Sequence, residues 1–267
     1  MFERRLEGRV VVLTGGAGLL GRNHSVALAR AGARVVVADI DRARAAEVAG
    51  GLPPEQGMAV GVDITSQSSV KNMIRCVVDR FGGIDALVNN AALDPKFDPQ
   101  HAGLHTDSFE RCPLEEFRRS LDVNLTGAFI CTQAAAPFLL SSTCGSVVNV
   151  ASIYGVSGPD QRLYLRDGGQ VRYKPVAYSA AKSGLLGFTR YLAAYWAGRG
   201  IRVNALTLGG VEAGHDPEFV RRYSEKTMLG RMARQDEYGG ALVFLLSDDS
   251  SYMTGANLVV DGGWTAW

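Results

Sequence analysis

The chain has 267 residues, a formal net charge of +1 from 28 Lys and Arg against 27 Asp and Glu, and a composition that is 46% hydrophobic and 21% charged. Those values suit a globular protein with a full core and exclude an intrinsically disordered or collagen-like chain. Balanced charge also gives no general electrostatic footprint for nucleic acid or an anionic membrane, and leaves open only a local anion site.

No run approaches the roughly 18 consecutive apolar residues of a membrane helix, and the charged residues 1–9 lead directly into an apolar, strand-like run. A soluble cytoplasmic protein without a targeting segment is therefore expected. Cys76, Cys112, Cys131 and Cys144 are widely spaced, with no C-x-x-C pair. Reduced thiols are expected. His24, His101, His105 and His215 show no metal-ligand spacing, and no metal is assigned.

In chain order, residues 9–13, 34–38, 58–62, 86–88, 146–150, 202–206 and 257–260 are short, apolar and rich in β-branched side chains, and read as seven strands. Residues 19–30, 68–81, 114–140, 176–197 and 236–246 repeat apolar side chains at i, i+3, i+4 and i+7, and read as helices. This alternation predicts right-handed βαβ crossovers and an α/β fold with a parallel sheet covered on both faces. No linker or repeat divides the chain, so one domain is expected. Residues 155–175 form a connection longer than most, rich in Gly, Arg, Asp and Tyr, which marks a functional loop.

The first strand runs into Thr14-Gly15-Gly16-Ala17-Gly18-Leu19-Leu20-Gly21 and then a helix, and Gly16, Gly18 and Gly21 satisfy G-x-G-x-x-G. Glycines there permit a tight turn and close approach of backbone N–H groups to a pyrophosphate, while the helix N-terminus favours its charge. The second strand ends in Asp39, eighteen residues after Gly21. An acid at that spacing accepts both hydrogen bonds of an adenosine ribose diol and repels a 2′-phosphate, which favours NAD over NADP. Arg42 softens that repulsion.

With these residues in place, the sequence resembles the classical short-chain dehydrogenase/reductase family along nearly its whole length. Matching motifs follow in the family's order: Val62-Asp63-Ile64, Asn89-Asn90-Ala91-Ala92, Asn124 in Asp122-Val123-Asn124, Ser152, Tyr178-Ser-Ala-Ala-Lys182, Arg202-Val-Asn204-Ala, and Asp261-Gly-Gly-Trp264. The resemblance implies a single Rossmann-type domain, a doubly wound parallel sheet of about seven strands with helices on both faces. It implies cofactor contacts from Gly15, Gly18, Leu19, Leu20, Asp39, Ile40, Asp63, Ile64, Asn90 and Ala91, and further contacts from Tyr178, Lys182, Gly209 and Val211. It also implies catalytic roles for Asn124, Ser152, Tyr178 and Lys182. In this pattern Tyr178 is the general acid or base, and Lys182, one helical turn on, stabilises its phenolate and bonds the nicotinamide ribose. Ser152 bonds the reacting oxygen, and Asn124 holds a water for proton relay.

Three departures qualify the resemblance. Leu19 stands where classical members usually have a glycine, so the turn also fits the T-G-x-x-G-x-x-G form of the extended, epimerase-containing branch, although the chain length fits the classical one. Leu208-Gly209-Gly210 replaces the usual Pro-Gly, and Ala213 stands near where a threonine often contacts the nicotinamide. Ser152 and Tyr178 are twenty-six residues apart, about twice the common spacing, so 155–175 reads as an insertion bordering the substrate pocket.

The insertion carries Arg162, Arg166, Arg172 and Lys174 against Asp160 and Asp167. This local positive excess fits either an anionic substrate or a solvated loop. Residues 210–229 fall where the family places its substrate lid, and Ser152, Tyr154, Tyr178, Arg162 and His215 are taken as substrate contacts. The resulting expectation is an NAD-dependent oxidoreductase of a secondary alcohol or ketone, on a polyol or sugar-derived small molecule. An epimerase or dehydratase with tightly held NAD, and a non-catalytic NAD-binding protein, are the alternatives. The resemblance also implies a homotetramer, or failing that a dimer, paired through the long helices. Leu185, Leu186, Phe188, Leu192 and Trp196 are expected to supply the excess apolar surface.

Overall fold

The computed structural model describes residues 5–94, 108–166, 169–170 and 172–267. His101, His105 and Asp167 lie outside the described residues. Seven strands in that range form one parallel sheet: β1 (Val10–Thr14), β2 (Arg34–Asp39), β3 (Gly57–Gly61), β4 (Ala86–Asn89), β5 (Ser146–Ser152), and two later strands, Arg202–Leu208 and Asn257–Val260. A two-stranded hairpin, β6 (Leu165–Arg166) and β7 (Gly169–Gln170), intervenes, so the last two sheet strands are β8 and β9. The order β3-β2-β1-β4-β5-β8-β9 reverses direction between β1 and β4. Each apolar run predicted as a strand is one.

Helices α1 (Leu19–Arg30), α2 (Arg42–Gly50) and α3 (Gln67–Phe81) connect the first four strands. Asp41 caps α2 by accepting from the Arg44 N–H at 3.1 Å, and Ser66 caps α3 by accepting from Ser69 at 3.3 Å. The predicted helix 114–140 is one 28-residue helix interrupted in its middle: α4 (Leu114–Leu121), a π-turn (Asp122–Thr126) and α5 (Gly127–Ser141). By length and composition alone this helix could cross a membrane, which the sequence search for an unbroken apolar run did not anticipate. It packs instead against β4, β5 and α3, and its buried residues Ile130, Cys131, Ala135 and Leu139 join the core on that face of the sheet.

Helix α6 (Val176–Tyr195) lies on β5 and β8, and α7 (Pro217–Ser224) and α8 (Gly239–Leu246) complete the layers. The sheet separates two apolar cores, one holding Val11, Leu13, Val35 and Leu242, the other Val12, Val36, Leu87 and Val203. Alternation along β1 therefore feeds both faces, as a doubly wound sheet requires. Leu185, Leu186, Leu192 and Trp196 are buried within the chain itself, against the expectation that they form a subunit face. The apolar surface that α5 and α6 leave exposed is instead Phe129, Tyr191 and Tyr195. All four cysteines are free thiols.

Candidate active site

The carboxyl ends of β1 and β4 meet at the reversal of strand order, where open parallel sheets form their ligand crevice. Thr14 and Asn90 lock the two ends together. The Thr14 hydroxyl accepts from the N–H groups of Asn90 (3.1 Å) and Ala91 (3.2 Å), and the Asn90 amide donates to the carbonyls of Thr14 (2.9 Å) and Gly15 (3.1 Å). Gly15 has φ +63°, and a Cβ there would lie 2.7 Å from the Ala91 Cα. At Gly21 a Cβ would lie 2.0 Å from the Gly15 carbonyl oxygen. Glycine is therefore required where the turn touches the β4 loop and where α1 rises from it.

The turn fits a dinucleotide. Gly18 begins α1 without any side-chain cap, so the N–H groups of its first turn are left for an anion. Asp39 is held beside the turn, its carboxylate accepting from the N–H groups of Ala17 (2.9 Å) and Asp41 (3.1 Å). Ile40, next in sequence, is 78% exposed, an apolar surface at the strand end. Asp63 accepts from the Thr65 N–H (2.9 Å) and hydroxyl (2.6 Å), and Ile64 is buried against Gly127 of α5. Leu19, half-exposed, borders a cleft of about 620 Å³ with Asn23, Ala213 and Arg234. Leu20 and Val211 both pack on the core, and the Val211 backbone bridges to Ala233. Gly209 donates to the Val260 carbonyl at 3.0 Å, and its carbonyl accepts from the Tyr238 hydroxyl at 3.0 Å.

Ser152 ends β5, and Tyr178 and Lys182 stand one turn apart near the start of α6. The Ser152 hydroxyl accepts from the Tyr154 N–H at 3.2 Å and lies close enough to the Tyr178 phenol to lower its pKa. Lys182 is buried, donates from Nζ to the Val150 carbonyl at 2.7 Å, and lies 5.8 Å from the Tyr178 ring centroid. Burial lowers the Lys182 ammonium to about 8, with the nearby charge of Asp94 opposing the shift. Burial also pushes the Tyr178 phenol above its ordinary value, as does the charge of Asp94, while the nearby Ser152 hydroxyl pulls the other way.

Beneath these groups, the Asn89 amide donates to Thr132 (3.0 Å) and Asn149 (2.8 Å), and Asn149 donates to Thr189 (2.9 Å). This buried polar network ties β4, β5, α5 and α6 into one support.

Asn124 sits in the π-turn, fully enclosed. Its side chain accepts from the Leu93 N–H (2.6 Å) and donates to the Leu93 carbonyl (3.0 Å) and to Ser120 (3.2 Å). The amide is thus spent on the loop after β4. The π-turn itself, closed by the Gly127 N–H to the Asp122 carbonyl, disrupts the i to i−4 ladder at this point.

Tyr154 and Tyr164 are buried with Phe219, Tyr223, Met232 and Trp264 in an aromatic cluster packed against Tyr178. His215 stacks on Phe219 at 5.0 Å, and burial lowers its pKa. Arg162 is not brought to this cluster: its side chain is 82% exposed and pairs with Asp160 at 2.9 Å. The insertion packs against residues 210–229, through Arg166 to Asp216 at 2.5 Å and Arg222 to the Arg162 carbonyl at 2.8 Å.

The sequence counted Lys174 only as loop charge. It is 7% exposed, its Nζ lies 4.0 Å from the Tyr178 ring centroid and 5.6 Å from that of Tyr154, and it pairs with Asp94 at 2.6 Å. The available signal was its place four residues before Tyr178, mirroring Lys182 four residues after. Pro175, however, begins the helix, so helical spacing does not apply to Lys174.

Residues 17–265 match the family described as enoyl-(acyl carrier protein) reductase. The chain is 33% identical to the 3-oxoacyl-(acyl-carrier-protein) reductase of Thermotoga maritima, over 97% of this chain and 98% of that one. It is also 33% identical to the meso-2,3-butanediol dehydrogenase of Serratia marcescens, over 98% of this chain and 96% of that one. A short-chain type dehydrogenase/reductase from Mycobacterium marinum superposes with a TM-score of 0.83 at 30% identity, covering 100% of this chain and 98% of that chain. Sequence, topology and the placement of Ser152, Tyr178 and Lys182 agree: the chain belongs to the classical short-chain dehydrogenase/reductase family.

Proposed function

We propose that this protein is an NAD-preferring dehydrogenase that moves a hydride between the nicotinamide and a secondary alcohol or ketone on a neutral, sugar-derived polyol. The convergence of Ser152, Tyr178 and Lys182 at the carboxyl end of β5 carries this reading. Bound NAD supplies the hydride acceptor. In the oxidative direction Tyr178 takes the hydroxyl proton, Ser152 holds the reacting oxygen, and the Lys182 ammonium favours the phenolate. With the Asn124 side chain bonded to Leu93, the main-chain carbonyls of the π-turn are the acceptors that hold a relay water.

Asp39 supports NAD: a carboxylate fixed at the end of β2 accepts from a ribose diol and repels a 2′-phosphate. Gly15, Gly18, Leu19 and Leu20 take the pyrophosphate, Ile40, Asp63 and Ile64 border the adenine, and Asn90, Ala91, Gly209 and Val211 border the nicotinamide half. Charge pairing supports a neutral substrate. Arg162, Arg166 and Lys174 of the insertion face Asp160, Asp216 and Asp94, and the Arg172 guanidinium lies over the Tyr164 ring, so three of the four basic side chains counted in the sequence are held by acids. Arg162 serves the cover, while Tyr154 and His215 face the substrate with the aromatic cluster. The diol named for the Serratia marcescens relative agrees with this class.

Residues 210–229 act as the lid and residues 155–175 as its partner. Assembly is a homotetramer, through the exposed Phe129, Tyr191 and Tyr195 and through β9, and four free thiols suit the cytoplasm. The test is nicotinamide absorbance with NAD and NADP against diols, mono-alcohols, hydroxy acids and nucleotide sugars. NAD-linked oxidation of a neutral diol is expected. Conversion of a nucleotide sugar with no net absorbance change would replace this reading with internal redox cycling.

A further inference from the structure

Lysine is rarely buried unless something compels it, and Lys174 is buried by a dedicated scaffold. Gln161 clamps its backbone on both sides, accepting from the Lys174 N–H at 2.8 Å and donating to its carbonyl at 3.2 Å. Gln170 in turn donates to the carbonyls of Gln161 (2.8 Å) and Arg172 (2.7 Å). The residues that separate Ser152 from Tyr178 are thus folded to deliver one ammonium to the face of the catalytic tyrosine. There it lies 4.0 Å from the ring centroid, nearer than the 5.8 Å of Lys182. Its counter-ion Asp94, on the loop after β4, is half-exposed and has no role in the hydride-transfer set.

We propose that the Lys174–Asp94 pair is a specificity site that reads a second hydroxyl on the substrate, on the carbon next to the one that reacts. This inference rests on the dehydrogenase reading and specifies its substrate as a vicinal diol. An ammonium has three donors, of which Asp94 takes one, and a carboxylate has acceptor capacity beyond that single contact. A hydroxyl placed between them accepts from Lys174 and donates to Asp94, satisfying both. A substrate carboxylate can only accept, and it meets the charge of Asp94. The pair is neutral as a unit, in keeping with the other matched charges of the insertion. The aromatic faces of Tyr154 and Tyr178 hold the cation in place and exclude water from around it.

The test uses the full chain with NAD and matched substrates, a vicinal diol beside its deoxy partner: 2,3-butanediol with 2-butanol, and 1,2-cyclohexanediol with cyclohexanol. Wild type is expected to favour each diol. Lys174→Met is expected to lose roughly 10- to 100-fold more in kcat/KM on the diols than on the mono-alcohols, the scale of a hydrogen bond to a charged group, with NAD affinity within about threefold. Asp94→Asn, which keeps an oxygen that accepts from Lys174, should lose roughly tenfold more on the diols than on the mono-alcohols. Equal losses on diols and mono-alcohols would overturn the proposal, because Lys174 would then act through Tyr178 or the fold. So would unchanged diol turnover in both variants, or a loss confined to hydroxy acids. A wild type that oxidises no alcohol with either cofactor overturns the dehydrogenase reading itself, whereas an active wild type with unchanged variants overturns this inference alone.

Discussion

Lys182 donates from Nζ to the Val150 carbonyl at 2.7 Å, which ties the ammonium on α6 to the strand that ends in Ser152. The groups proposed to handle the proton and the reacting oxygen are therefore positioned by one strand and one helix, and the arrangement depends on a buried charge.

That charge costs stability. Burial lowers Lys182 from 10.5 to about 8, a difference worth about 3 kcal/mol at roughly 1.4 kcal/mol per unit. The unfolded lysine keeps its proton up to about pH 10.5 and the buried one releases it near 8. The penalty is therefore full below pH 8, and stability rises with pH between 8 and 10.5. Lys182→Met is expected to melt no lower than wild type at pH 7, with its advantage shrinking towards pH 10, while turnover falls at least about 100-fold. A marked drop in Tm at pH 7 would contradict this.

The Asp39 carboxylate is held by the N–H groups of Ala17 and Asp41, and it is the group proposed to set the cofactor preference. Asp39→Ala is expected to weaken NAD by roughly 10- to 100-fold in KM and to improve NADP, since one hydrogen-bond pair and one repulsion are removed together. The ratio of the two KM values is the readout, because a general loosening of the turn would weaken both cofactors alike.

Asn124 joins the π-turn to the loop after β4 through both backbone groups of Leu93. Asn124→Ala leaves those groups without partners and is expected to cost about 2–3 kcal/mol in denaturant unfolding. It should also lower kcat. A variant of wild-type stability would show that Leu93 finds other partners.

The strands and their faces were legible in the sequence because each is a short apolar run on a sheet buried on both sides, as in Arg34–Asp39. The glycine turn, Asp39, Ser152 and Tyr178 were legible because local chemistry and order along the chain fix their places. The break in the long helix at Asn124 was not, since apolar periodicity continues across a π-turn. Nor was Lys174. Its position depends on a contact to Asp94 eighty residues away and on a glutamine clamp inside an irregular loop, and neither leaves a periodic signal.

His24, in α1, is fully buried, and neither ring nitrogen has a hydrogen-bond partner among the described residues. Burial lowers it to about 4 from 6.5. The neutral ring is the folded form, so its contribution is intact above pH 6.5 and is lost as the pH falls towards 4, by about 3 kcal/mol in all at roughly 1.4 kcal/mol per unit. His24→Leu is expected to flatten the acid limb of a Tm against pH curve over that window. An unchanged acid limb would assign the loss to other groups.

The central claim is that Tyr178 exchanges the proton that accompanies NAD-linked oxidation of a neutral secondary alcohol. The direct measurement compares wild type and Tyr178→Phe by NADH absorbance on 2,3-butanediol, with NAD affinity measured alongside. The account predicts a loss of at least about 100-fold in kcat with NAD affinity nearly unchanged. Turnover that survives the substitution would contradict it.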